Sequence, residues 1–129
     1  MGAQYVTEYD LKRLNTEQFA ILVMDASKAL KWPLGSVRGG FSLTVPASTW
    51  SRGEFVTILV SEHHHIATIE SKYTQWQLGW GGKNKKNIAL LVAKLDELQL
   101  LQTPAALTQR YNIIAQDEES YEKDPMIEE

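Results

Sequence analysis

A two-layer α+β fold is predicted, with an antiparallel sheet of about four strands and helices from both ends of the chain packed on one of its faces. Three features of the sequence predict it. Apolar residues recur at helical spacing from Phe19 to Leu30. Alternating or β-branched segments fill the middle, from Leu34 to Tyr73. A second helical stripe then runs from Ile88 to Leu101.

The first helix is predicted over 16–31. Asn15 and Gln18 have the spacing of a capping box. Phe19, Leu22, Val23, Ala26, Ala29 and Leu30 form its stripe. Pro33 disfavours helix at Trp32 and ends it. A short strand over 34–37 and a turn at Gly39-Gly40 follow. Phe41, Leu43 and Val45 alternate with Ser42 and Thr44, the period of a half-buried strand that Pro46 stops. Residues 47–53 read as a loop. The run Phe55-Val56-Thr57-Ile58-Leu59-Val60 is apolar on both faces, which places it centrally in the sheet. After a turn over 61–64, Ala67, Ile69, Ser71 and Tyr73 share one face of a last strand. Short links predict hairpins rather than crossover helices. The second helix is predicted over 84–101, and Thr103-Pro104 marks a cap and first position of a short third helix to about Ala115.

This gives a polar lead-in at 1–14, one domain at 15–115, and an acidic tail at 116–129 predicted to be disordered. The 129 residues suit one domain and can bury a core without a disulfide or metal. There is no cysteine, which excludes disulfides, zinc–thiolate centres and a thiol nucleophile. No secretory leader pattern precedes Asp10 and no apolar run is long enough to cross a bilayer. A soluble, cytoplasmic protein without membrane insertion is expected. Residues 116–129 hold seven acids and one lysine, whereas the remainder holds twelve bases and nine acids. That mild basicity is far from the dense stripe of a nucleic-acid binder, so no nucleic-acid partner is expected.

From Phe19 to Leu98 the chain resembles an uncharacterised small domain of Bacteroidetes proteins, found in some relatives ahead of a rhomboid-like membrane region. The resemblance rests on Leu30-Lys31-Trp32, Gly40-Phe41, Thr49-Trp50-Ser51-Arg52-Gly53-Glu54 and, most specifically, Gly82-Lys83-Asn84-Lys85-Lys86-Asn87-Ile88. It implies a soluble, regulatory module and no known activity. The chain has no membrane segment to carry a protease function, and its Trp76–Gly81 stretch departs from the shorter, acid-containing link of that domain.

Chemistry is most concentrated at the start of the second helix. Lys83, Lys85 and Lys86 stand where the helix dipole favours acids. With Asn84, Asn87 and the neighbouring Trp76 and Trp80, they form a candidate corner for a small anion: a nucleotide, a phosphorylated metabolite or a lipid headgroup. It is not a Walker loop, because the G-x-x-x-x-G-K-[ST] spacing is missing. A solvated lysine face, or lysines paired with Glu54 or Glu70, accounts for the same residues. His63-His64-His65 lacks a second ligand cluster, so a polar hairpin tip is the simpler account than a metal site. A nucleophile–base pairing of Ser48 or Ser51 with these histidines has no G-x-S-x-G elbow behind it.

The expectation is a non-enzymatic binding or regulatory module with a protein partner and no cofactor, catalytic residue or metal. A small-anion binder is second and a hydrolase a remote third. An exposed edge strand at 34–37 would also allow a homodimer.

Overall fold

The computed structural model describes residues 4–47, 53–73 and 82–122. In chain order it contains β1 (Gln4–Asp10), α1 (Thr16–Leu30), β2 (Leu34–Val37), β3 (Gly40–Val45), β4 (Glu54–Ser61), β5 (Ile66–Tyr73), α2 (Gly82–Leu101) and α3 (Pro104–Glu122). The five strands form one sheet in the order β1-β5-β4-β3-β2, antiparallel throughout. β2 to β5 are a meander, and β1 returns to pair with β5. The α+β class is therefore as expected, with β4 central and β2 an edge.

The fifth strand is the correction. Residues 4–10 are not a lead-in but pair with β5 from Gln4↔Lys72 to Asp10↔Ile66. Tyr5, Thr7 and Tyr9 share its inner face, yet only Tyr9 is buried. An edge strand with one buried residue carries little hydrophobic periodicity, which is why the sequence reads as polar there.

Residues directly opposite in an antiparallel pair share a face. The inner face therefore carries Tyr9, Ala67, Ile69, Val56, Ile58, Leu43 and Val45, all buried. Phe19, Leu22, Val23 and Ala26 of α1 and Ile88, Leu91 and Leu95 of α2 complete this core. Tyr9 stacks on Phe19, with ring centroids 5.9 Å apart.

The capping box of α1 is present: Gln18 N donates to Asn15 Oδ1 and Asn15 N to Gln18 Oε1, both at 2.8 Å. Such a cap contributes about 1 kcal/mol. The helix ends through a left-handed Lys31 (φ 62°), which lets Trp32 N donate to Ser27 O at 3.0 Å. Ser27 Oγ donates to Trp32 O at 2.6 Å and secures the same turn.

α3 packs against α1. Its start is capped by Thr103, whose Oγ accepts from Ala106 N at 3.1 Å. Gln18 Nε2 donates to Pro104 O and Thr108 Oγ. Arg110 donates two bonds to the Asp25 carboxylate, at 2.7 and 2.8 Å, and Gln102 bridges both residues. Arg110 holds the Asp25 carboxyl below its usual range, against the opposing effect of burial and with help from Gln102. The helix continues past Ala115 to Glu122, because Gln and Glu favour helix as strongly as most apolar residues. The rest of the acidic segment, 123–129, lies outside the described residues.

Candidate functional site

At the end of the sheet where β4 begins and β5 ends, four polar residues are buried together. Glu54 and Tyr73 are register partners, as are Val56 and Ser71. Glu54 and Ser71 point inward, and α2 lays Asn84 and Asn87, three apart and so on one helix face, over them. Glu54, Ser71 and Asn84 are 0% exposed and Asn87 1%. Asn87 Nδ2 donates to Glu54 Oε1 at 2.7 Å and lies 3.4 Å from Ser71 Oγ, while Ser71 Oγ donates to Asn84 Oδ1 at 2.8 Å. Asn87 Oδ1 is buried without a partner. A buried carboxylate needs charge-assisted donors to offset its lost hydration, and Asn87 supplies one. Gly53, just before Glu54, has φ +103°, a conformation that favours glycine.

These positions revise the expected corner. Asn84 and Asn87 are interior residues that fasten α2 to the sheet and present nothing to solvent. Lys85 and Lys86 are exposed and Lys83 is half-buried. Among the described residues none of the three has an ion pair, and the first turn of α2 holds no acid. The alternative pairing with Glu54 or Glu70 is not formed. Glu54 accepts from Asn87, and Glu70 sits on the other face of the sheet, between Val6 and Thr57. Trp76 and Trp80, with Ser48 and Ser51, lie outside the described residues.

The histidines occupy the β4–β5 turn. His63 and His64 meet edge to face, and His65 adopts a left-handed conformation (φ 61°). His65 Nε2 bonds to the Lys12 carbonyl oxygen and so ties the turn to the β1–α1 link. His65 also lines an open cleft of about 270 Å3 with Leu11, Asn15, Thr16, Glu17 and Glu62. No described bond joins it to either carboxylate, and no group of three side chains among the described residues is placed to hold a metal ion.

A larger open cleft, about 460 Å3, lies between Lys12, Arg13, Asp96, Gln99 and Leu100. Two of its lining residues hold the Tyr9 hydroxyl, which donates to Asp96 Oδ1 at 2.7 Å and accepts from Gln99 Nε2 at 2.8 Å. Burial first, and then the bond to the Asp96 carboxylate, raise the Tyr9 phenol above its ordinary value. The bond accepted from Gln99 acts the other way, but burial and Asp96 outweigh it and the phenol stays protonated as a structural donor.

The outer face of the sheet is different, for α1 and α2 both pack on the inner one. Phe55 is 43% and Leu59 45% exposed, and Val6 and Val37 are comparable. The register sets Leu59, Gly40 and Val37 in one row, with Thr57, Ser42 and Gly35 in the next. Gly40 lies between Leu59 and Val37 and adds no side chain to that row. No side chain fits there, because a Cβ would lie 1.8 Å from the Ile58 carbonyl oxygen. The apolar outer positions of β4 were visible in the sequence. Alternation shows that a face is apolar but not whether another layer covers it.

No described helix is long and apolar enough to cross a membrane. No family model matches the chain, and no curated protein or solved structure matches it either.

Proposed function

We propose that this chain is a non-enzymatic binding module that docks a protein partner on the uncovered side of its sheet. The observation that carries this reading is the exposure of Phe55, Leu59 and Val37 on that face. Small and hydroxyl-bearing neighbours, Gly35, Ser42 and Thr57, leave the surface flat enough for an opposing layer. Burying apolar area of this kind yields roughly 25 cal/mol per Å2. The polar cluster supports the same reading by elimination, since its asparagines are engaged inside the fold. Two segments of the Bacteroidetes-domain resemblance, the one ending at Glu54 and the one from Gly82 to Ile88, meet in that cluster. We read them as fold-determining residues rather than ligand contacts. The lack of cysteine accords with a cytoplasmic setting.

A second reading, a small-anion binder, rests on Lys83, Lys85 and Lys86, which have no ion pair among the described residues, at a helix start whose first turn holds no acid. One experiment separates the two. Quantitative co-purification from the source cells compares wild type, Phe55→Thr/Leu59→Thr, and Lys83→Gln/Lys85→Gln/Lys86→Gln. A partner lost only with the sheet variant supports the module. A partner lost only with the lysine variant removes it.

A further inference from the structure

We infer that the β2 edge takes an extended, acidic peptide segment of a partner protein as a sixth strand. This rests on the binding-module reading and names the chemistry of its partner.

The hydrogen-bond parity of the sheet leaves the edge open in a defined way. Thr44 N donates to Pro33 O at 3.0 Å, so Pro33 and Thr44 are a hydrogen-bonded pair. Bonded and non-bonded pairs alternate along an antiparallel ladder. Gly35↔Ser42 and Val37↔Gly40 are then bonded, and Leu34↔Leu43 and Ser36↔Phe41 are not. Val60 N, donating to Gly39 O, fixes the same parity on the other side of β3. Leu34 and Ser36 therefore point their N–H and C=O groups away from β3. Those four groups match the spacing of one added strand.

All four β2 residues are exposed, and Leu-Gly-Ser-Val carries none of the charges that commonly block sheet edges. Gly35 places no side chain on the outer face beside Ser42, so a strand residue opposite it has room for a bulky group.

Charge selects the partner. Lys31 lies three residues before β2 and Arg38 immediately after it. Both are exposed, and neither has an ion pair among the described residues. No acid lies between them in the sequence. A strand with acids at its two ends places opposite charge at both flanks, which favours encounter and sets register. A second copy of the chain pairing about Gly35 would bring Arg38 towards the partner copy's Lys31, so the charges disfavour self-pairing.

The test uses the full chain and three fluorescently labelled peptides that share a Thr-Val-Thr-Val centre and differ only in their paired end residues, Glu, Gln or Lys. Anisotropy titrations should rank them Glu, then Gln, then Lys, with amide shifts at Leu34–Val37 in NMR spectra. Ser36→Pro deletes an outward N–H and spares the β2–β3 ladder. It should weaken the Glu peptide by about tenfold or more, the effect of losing roughly 1.4 kcal/mol of binding. Ser36→Thr should stay near wild type. Arg38→Glu, which leaves the strand intact, should reduce the preference for Glu over Lys ends.

No binding by any peptide, equal binding of all three, or full binding by Ser36→Pro would overturn the inference. So would a dimer that Ser36→Pro dissolves in the absence of peptide. If the cellular partner is lost with Phe55→Thr/Leu59→Thr but kept with Ser36→Pro, this inference fails and the binding-module reading stands.

Discussion

Two neighbours on β4 occupy the places that polarity would assign to each other. Glu54 is fully buried and Phe55 43% exposed. The pleat allows no compromise, because successive side chains must point to opposite faces. Val56 and Ile58 commit the even-numbered positions to the core, so Glu54 goes inward with them and Phe55 and Leu59 go out. The inner face tolerates its carboxylate because Asn87 donates to it. The outer face keeps its apolar groups because no helix of the described fold covers them. One face therefore has a polar group to explain and the other an apolar surface to explain, and only the second is available to a partner.

Substitutions on one strand test that contrast most strongly. Ile58→Ala should cost about 3 kcal/mol in urea unfolding, through lost transfer energy and a cavity. Leu59→Ala, one residue on, should cost less than about 0.5 kcal/mol. Equal losses would mean that the outer face is also core.

Asn87→Ala removes a donor from the buried Glu54 carboxylate, and should lower stability by about 2 kcal/mol. Asn87→Asp should be worse, because it sets two carboxyl groups against each other. A neutral Asn87→Ala would show that the cluster does not hold α2 to the sheet.

A smaller effect is expected where α3 meets α1. Asp25 is depressed by Arg110, so its contribution is complete above the unfolded carboxyl value of about 3.9 and is lost as pH falls through the lower folded value. Asp25→Asn should flatten that acid limb and cost about 1 kcal/mol at neutral pH, since the pair is partly solvated. Tyr9 has the opposite sign. Its raised phenol stabilises the fold fully below pH of about 10, and that contribution declines as pH rises through the folded value. Tyr9→Phe should remove this alkaline dependence in a pH series of melting curves.

The helices were legible because their signals are local: the Asn15–Gln18 box, the Thr103-Pro104 cap and the stripes at Phe19 and Ile88 all appear in the structure. The meander was legible from alternation. β1 was not, since Tyr9 alone among its residues is buried and its pairing with β5 is set by the tertiary fold. The site was read least well, for a physical reason. Lysines and asparagines at one helix start look alike in sequence, but helical spacing puts Asn84 and Asn87 on the buried side and Lys85 and Lys86 on the wet side.

The most direct measurement is site-specific photocrosslinking in the source cells, with a photoreactive residue placed once at Leu59 and once at Lys85. The account predicts a discrete protein adduct from position 59 and none from position 85. Adducts from position 85 alone would contradict it and move the binding surface to the start of α2.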